Sequence, residues 1–251
     1  MIDSHAHLTS PTLLPEVDAI VERALEAGVE KIVNICTDEA SLKEGLALAA
    51  RSPGIYNTAA TTPHDVDKQG ESFFPLVEDA VDKLIAIGET GLDYFYEHSK
   101  KTTQQEFLER YLYLALKVNL PIIFHCRDAF ADLFSITDKI YQGKPAILHC
   151  FTGTPEEARR VLDRGWLLSF SGILTFKKST ALQEVARFAP LSQILIETDS
   201  PYLAPQTRRG KQNEPAYIRE TLEKIAELKG IPPEDVEKAT IENAIQFFSF
   251  N

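Results

Sequence analysis

The chain has 251 residues, of which 44% are hydrophobic and 25% are charged, and its formal net charge is −11. This length and composition suit a globular protein with a sizeable core, and the acidic total excludes a surface that coats DNA generally. A local basic stripe beside a site remains compatible with that total.

The sequence carries no sign of a membrane or secreted protein. The N-terminus lacks the basic region and apolar run of a signal peptide, and no apolar stretch approaches the ~20 residues that a membrane helix needs. The three cysteines, Cys36, Cys126 and Cys150, form no C-x-x-C motif, which favours free thiols in a reducing compartment. We therefore expect a cytoplasmic protein and, since the pattern shows no large apolar surface patch, a monomer.

Short apolar runs alternate with amphipathic stretches along the whole chain. The runs are typical of buried strands, whereas the stretches between them carry apolar residues at helical spacing. The predicted strands span residues 2–8, 31–36, 55–61, 84–88, 121–126, 145–150, 166–170 and 194–197. The predicted helices span residues 14–25, 41–51, 74–83, 102–114, 129–141, 181–187, 215–229 and 233–248, with a further one that begins at Pro155 after the cap Thr154. The longest irregular segments are predicted at 62–73, 89–101 and 198–214.

Alternating strands and helices predict a parallel sheet, and eight such units close naturally into a barrel. The predicted fold is therefore α/β, a TIM-like (β/α)8 barrel that forms one domain over residues 1–251. An open doubly wound sheet is the alternative. Neither G-x-G-x-x-G nor the P-loop motif occurs, so the sequence lacks both nucleotide-binding fingerprints.

Six polar residues share one position in this predicted fold, the carboxyl end of a strand. In a barrel these ends converge on one mouth, where active sites are built, and residues two apart on a strand face the same side. Taken singly, each residue fits an ordinary structural role, but independent structural roles would not place all six at one end of the fold. The six are His5, His7, Glu89, His125, His149 and Asp199.

Four imidazoles and two carboxylates suit a borderline divalent ion such as zinc, manganese or nickel. Six ligands exceed what one tetrahedral ion needs, and they divide into two sets that share a bridging carboxylate. Two ions about 3.5–4 Å apart can hold the attacking and the leaving oxygen of a phosphoester, and they lower the pKa of bound water towards ~7. We therefore predict two divalent ions, drawn from magnesium, manganese, zinc and nickel.

Several segments resemble the signature blocks of the TatD family of metal-dependent deoxyribonucleases, which belongs to the amidohydrolase-like barrels. The blocks follow one another in family order from Ile2 to about Phe247 and read MIDSHAHL, GETGLDY, FHCRDA, HCFTG, ETDSPYLAP and RGKQNEPAYI. The resemblance implies a TIM-like barrel that hydrolyses phosphodiester bonds in DNA, as a 3′–5′ exonuclease on single-stranded ends. It also implies the ligand assignment: one ion on His5, His7 and Asp199, a second on His125 and His149, Glu89 bridging the two, and Asp199 taking a proton from the attacking water.

Residues beside the candidate ligands agree with a phosphate substrate. Arg127 lies two residues after His125 and faces the same way, and the loop after the last strand is basic at Arg208, Arg209 and Lys211. The aromatic run at 94–96 offers rings on which unpaired bases could stack. The predicted substrate contacts are His64, Arg127, Arg209, Lys211 and Asn213.

One position departs from the TatD pattern, and another separates the sequence from other amidohydrolase-like enzymes. Where the family carries a Gly-x-His-Pro-His run, the chain has Thr62 in place of the first histidine, while His64 remains. This change bears on substrate preference. After the fourth strand Glu89 stands where many amidohydrolase relatives carry a carboxylated lysine, which favours the TatD type.

Two other functions are compatible with the sequence. One is a metal-dependent hydrolase of a small cyclic amide, lactone or ester on the same barrel, and the other is a non-catalytic DNA-binding barrel. The basic loop at 208–211 favours DNA over a small substrate. The six candidate ligands argue against a non-catalytic barrel, because binding alone would not require them.

Overall fold

Eight parallel strands form one sheet, in which each strand is hydrogen-bonded to the next one along the chain. The computed structural model describes residues 1–250. The strands are β1 (Ile2–Ala6), β2 (Lys31–Cys36), β3 (Ile55–Ala59), β4 (Ala86–Asp93), β5 (Ile122–Arg127), β6 (Ala146–Leu148), β7 (Leu167–Phe170) and β8 (Ile194–Ile196).

The sheet curls until its last strand returns to its first. Ala6, at the end of β1, pairs in parallel with Ser200, which follows β8. Two backbone hydrogen bonds extend this contact, from the Asp199 N–H to the His5 carbonyl at 2.9 Å and from the His7 N–H to the Ser200 carbonyl at 2.8 Å. The predicted TIM-like (β/α)8 barrel is confirmed, and the open-sheet alternative is wrong.

Helices lie between the strands and cover the outside of the barrel. Local sequence starts one of them as predicted: Thr154 caps the helix that begins at Pro155, in a reciprocal pair of hydrogen bonds with Glu157. Between residues 1 and 250 the α-helices are α1 (Val17–Glu26), α2 (Glu39–Arg51), α3 (Val66–Ala80), α4 (Lys101–Val118), α5 (Phe130–Ile140), α6 (Pro155–Leu162), α7 (Thr180–Phe188), α8 (Ile218–Lys229) and α9 (Pro233–Phe248).

The apolar core has two parts, one of which lies inside the barrel. A large cluster fills the space between strands and helices. A smaller cluster joins strand residues such as Ile2, Ile123 and Leu195 to Ala244 and Phe248 of α9. Several of its strand residues, Ile2, Ala86 and Ile123, lie at or next to the amino ends of their strands, so α9 closes that end of the barrel and leaves the carboxyl end open.

Helix α3 begins at Val66, although the sequence predicted an irregular segment over 62–73 and a helix only from Phe74. Gly70 and Pro75 both disfavour the interior of a helix, so a helix that includes them was not expected. Gly70 is instead required by packing, since a Cβ there would lie 2.5 Å from the Phe107 ring of α4. The two helices approach closely at this glycine.

Strand β4 continues to Asp93, five residues beyond its predicted end at Gly88. Its second half pairs with β5 through Gly91 opposite His125 and Asp93 opposite Arg127. Glycines at 88 and 91 weakened the strand signal, but they let the two backbones approach closely. Glu89 therefore lies within a strand and not after it.

None of the helices between residues 1 and 250 combines the length with the apolar character that a membrane-spanning segment requires.

Replacing Gly91 by alanine tests the close approach of β4 to β5. Gly91 has a φ of 149°, and an added Cβ would overlap the carbonyl oxygen of His125. We expect Gly91→Ala to lower the free energy of unfolding by roughly 3 kcal/mol, through overpacking and backbone strain. Gly143 is the control, because it also has a positive φ but nothing lies within 4 Å of an added Cβ. Urea unfolding of Gly143→Ala should show a loss of only about 1 kcal/mol, and equal losses in the two variants would contradict the packing argument.

Candidate metal centre

The barrel brings all six candidate ligands together at its open, carboxyl end. Three lie in strands, and the other three follow a strand by one to three residues. They are His5 in β1, Glu89 in β4 and His125 in β5, with His7, His149 and Asp199 just beyond β1, β6 and β8. His7 and His149 lie outside strands because β1 and β6 end earlier than predicted, whereas Asp199 follows its strand as predicted.

The first group consists of His5, His7 and Asp199, which barrel closure places side by side. The Nε2 atoms of the two histidines are 3.3 Å apart. Asp199 Oδ1 lies 3.7 Å from His5 Nε2 and 3.5 Å from His7 Nε2. The three atoms therefore surround a common point, as the ligands of one ion would.

The second group consists of His125 and His149, with Glu89 between it and the first. Glu89 Oε1 lies 3.0 Å from both His125 Nδ1 and His149 Nε2, which are 3.3 Å from each other. The other carboxylate oxygen, Oε2, lies 3.4 Å from His5 Nε2 and 3.7 Å from His7 Nε2. One carboxylate thus presents one oxygen to each group.

Both central carboxylates are held in their ionised form. Burial opposes ionisation of Glu89, but the charge of His149 and hydrogen bonds from His125 and His149 hold the pKa of its carboxyl well below the usual range. Burial opposes ionisation of Asp199 in the same way, and the hydrogen bond from His7 lowers its pKa. Ionised carboxylates are the form that binds a cation.

The histidines respond in opposite directions to the same surroundings. Burial lowers the pKa of His149, yet the charges of Glu89 and Glu197, both of which lie close to the ring, raise it well above the ordinary value. Burial and the neighbouring charge of His149 lower the pKa of His5. The centre therefore favours positive charge, which divalent ions supply when neutral imidazoles bind them. With imidazole nitrogens and carboxylate oxygens as donors, the residues fit two such ions.

Two carboxylates that sequence reasoning missed lie behind the candidate ligands. Asp93 Oδ2 is 2.8 Å from His125 Nε2, and Glu197 Oε1 is 3.4 Å from His149 Nδ1. Burial would raise the pKa of Asp93, but the hydrogen bonds from His125 and from the Tyr96 backbone lower it to about 2. Strand alternation held a signal for Asp93, which follows Glu89 by four residues within β4, but not for Glu197, which lies beyond the end of β8.

A cavity of about 560 Å³ opens above the two groups. Of the predicted substrate contacts, His64 and Arg127 line it, and so does Thr62. The Arg127 guanidinium lies over the Phe95 ring at 3.8 Å and over the Tyr96 ring at 4.8 Å. A cationic side chain in contact with aromatic rings therefore lies beside the candidate ligands.

The structure does not bring the other three predicted contacts to the cavity wall. Arg209 and Lys211 are exposed, and the Arg209 guanidinium lies 4.6 Å from the Phe176 ring. Asn213 is buried, and its side-chain amide donates hydrogen bonds to the carbonyls of Thr198 and Tyr202. Asn213 thus holds the loop that carries Asp199 and does not face the cavity.

Comparison with known proteins shows which family the chain resembles. The family model described as TatD related DNase matches residues 2–249. The chain is 37% identical to the uncharacterized metal-dependent hydrolase YabD of Bacillus subtilis, over the full length of both chains. It is 34% identical to the 3′-5′ ssDNA/RNA exonuclease TatD of Citrobacter rodentium, over 99% of this chain and 97% of that one.

A solved structure shares the whole fold. The TatD homologue YJJV from Escherichia coli K12 superposes with a TM-score of 0.94 at 26% identity, over 100% of this chain and 98% of that one. Together with the full-length family match and the metal-dependent hydrolases among its relatives, this likeness leads to one conclusion: the chain belongs to the TatD family of metal-dependent hydrolases.

Proposed function

We propose that the protein is a two-metal phosphodiesterase that removes nucleotides from the 3′ ends of single-stranded DNA. The observation that supports it most directly is the Glu89 carboxylate, whose two oxygens face two separate groups of candidate ligands at 3.0–3.7 Å. An arrangement of this kind serves the in-line displacement of a phosphoester. Relatives named as single-strand exonucleases support the choice of substrate.

The ions assigned to this site would supply a water acidic enough to attack at neutral pH and would offset the charge of the phosphate. His5, His7 and Asp199 would hold one of them, His125 and His149 the other, with Glu89 shared. Asp199 is ionised and borders the cavity, so its carboxylate accepts a proton from the attacking water.

Residues around the cavity would orient the substrate. Arg127 supplies the positive charge that a phosphate needs, and its contacts with the Phe95 and Tyr96 rings restrain the guanidinium. His64 lies beside His125, with ring centroids 5.3 Å apart, and its Nε2 is 3.6 Å from Asp93 Oδ2. Both side chains reach the same cavity from the β5 side of the centre.

Exposed aromatic rings support a preference for unpaired bases. Phe95, Tyr96 and Tyr202 are 53%, 48% and 55% exposed, and the two tyrosines line the cavity. Tyr96 lies near His64, whereas Tyr202 lies edge-on to His7. A base can stack on such a ring only when it has left the duplex.

A small-molecule hydrolase is the second candidate, and one observation favours it. Among the described residues that line the cavity, Arg127 is the only lysine or arginine, while Asp38 and Asp65 are also present. The basic loop that favoured DNA in the sequence has Arg209 and Lys211 away from the cavity wall. A small cyclic amide, lactone or ester needs fewer cations than a nucleic-acid strand.

Replacing Glu89 tests the shared carboxylate. End-labelled single-stranded DNA incubated with Mn²⁺ or Mg²⁺ should give a ladder shortened from the 3′ end, and a chelator should stop it. We expect Glu89→Gln to lower the rate by more than about 100-fold, the upper limit for residues that only support a ligand. Glu214→Gln is the control, because Glu214 is also buried but pairs with Arg23 outside the cavity. Native-level cleavage by Glu89→Gln would refute the shared role, and hydrolysis of an ester or amide without any DNA cleavage would establish the second candidate.

Replacing Tyr202 tests base stacking. Loss of one stacking platform costs about 1–3 kcal/mol, so Tyr202→Ala should raise KM for a single strand by roughly 5- to 150-fold. For the native protein, KM should be higher for a strand whose 3′-terminal nucleotides lack bases than for an intact strand. For that abasic strand, native protein and variant should have the same KM. Tyr113→Ala is the matched control, since Tyr113 is 59% exposed on α4. If Tyr202→Ala still distinguished the intact from the abasic strand as well as the native protein does, the stacking role would be refuted.

A further inference from the structure

Buried polar atoms without a hydrogen-bond partner concentrate at one place in the described part of the chain. Among residues 1–250 these side-chain atoms are His5 Nδ1, His149 Nδ1, both carboxylate oxygens of Glu197, and Asn34 Oδ1. Four of the five belong to three side chains at the metal centre, the candidate ligands His5 and His149 and the neighbouring Glu197. Buried polar groups are normally satisfied, so this cluster calls for a functional explanation.

The two histidines of this cluster are aligned with each other. The rings of His5 and His149 stack at a centroid distance of 3.9 Å, with only 9° between their planes. Both Nε2 atoms face Glu89, at 3.4 Å for His5 and 3.0 Å for His149. Their Nδ1 atoms are therefore left on the other edge of each ring.

Glu197 lies at that other edge. Its Oε1 is 3.4 Å from His149 Nδ1, and one nitrogen or oxygen atom of each of Glu197, His5 and His149 lies within 4.8 Å of the other two. The side chain is fully buried, and the Glu197 backbone N–H donates to the Phe170 carbonyl of β7 at 3.0 Å. The sheet thus fixes the carboxylate beside both rings.

A neighbouring carboxylate shows that this placement is specific. Asp3 is equally buried, but its oxygens accept hydrogen bonds from the Thr198 hydroxyl and from the backbone N–H groups of Thr198 and His5. Both carboxylate oxygens of Asp3 thus accept hydrogen bonds, and these bonds join β1 to the segment that follows β8. Glu197 has no such donors, and the Nδ1 atoms of His5 and His149 likewise have no partner.

We propose that Glu197 is a positioning residue shared by both halves of the metal centre, an inference that rests on the proposed two-metal function. An ionised carboxylate only accepts hydrogen bonds, and its two oxygens can serve two N–H groups. By accepting from Nδ1–H of His149 and of His5, Glu197 leaves the lone pair of each Nε2 directed at the Glu89 side. One ligand of each proposed ion is then oriented by one buried side chain, in the carboxylate–histidine arrangement that supports metal ligands.

Glu197→Gln separates this role from a purely structural one. The amide oxygen accepts one Nδ1–H, but the amide nitrogen carries hydrogens and opposes the other. We expect calorimetric titration to show about 10- to 100-fold weaker Zn²⁺ binding in the variant. In the Zn²⁺-loaded native protein, long-range ¹H–¹⁵N spectra should show protonated Nδ1 and metal-bound Nε2 for both His5 and His149, and the variant should lose this pattern for at least one of them.

Controls distinguish the possible failures. Glu214→Gln removes a buried carboxylate elsewhere and should keep native Zn²⁺ affinity. If circular dichroism finds Glu197→Gln unfolded, Glu197→Asp keeps the charge but withdraws it from the rings, and it should weaken binding instead. Native affinity and native ring protonation in a folded Glu197 variant would overturn this inference but not the proposed function. The inference would also fail if the native protein bound three Zn²⁺ ions and the variant bound two, because Glu197 would then be a ligand itself. A native chain that bound no Zn²⁺ would overturn the proposed function as well.

Discussion

The site depends on the burial of one negative charge, that of the Glu89 carboxylate, at the open end of the barrel. A carboxylate that is only 5% exposed is costly unless positive charge or hydrogen-bond donors surround it. Imidazoles from three separated segments, His5, His125 and His149, meet this requirement within 3.4 Å. The same arrangement that stabilises the carboxylate leaves it pointing at two places where cations would be bound.

Backbone pairing fixes these distances. His125 is placed opposite Gly91 by the register of β4 and β5, two residues from Glu89. His149 is placed by its backbone N–H, which donates to the Phe124 carbonyl, and Asp199 by its backbone bond to His5. Because the ligands are attached to a closed sheet, little reorganisation is needed to bind ions, which is the requirement for a precise catalytic site. Among the described residues, the wall of the wider cavity carries one arginine, Arg127, and two exposed tyrosine rings, Tyr96 and Tyr202.

The barrel and the six candidate ligands could be predicted from the sequence because both follow from the pattern of strands. Glu89 was predicted to follow its strand, since the glycines at 88 and 91 concealed the second half of β4. The same error hid Asp93, which faces His125 only if the strand continues. Arg209, Lys211 and Asn213 were predicted at the cavity because they share a motif block, but a loop has no periodicity from which the direction of a side chain follows. Glu197 was missed because a buried carboxylate is explained by its neighbours in space, which are far away in sequence.

The central claim is that Glu89 stands between two metal ions, and anomalous diffraction from crystals soaked in Mn²⁺ tests it most directly. We expect two anomalous peaks, one bounded by His5, His7 and Asp199 and the other by His125 and His149, with the Glu89 carboxylate between them. A single peak, or peaks that do not contact Glu89, would contradict the account.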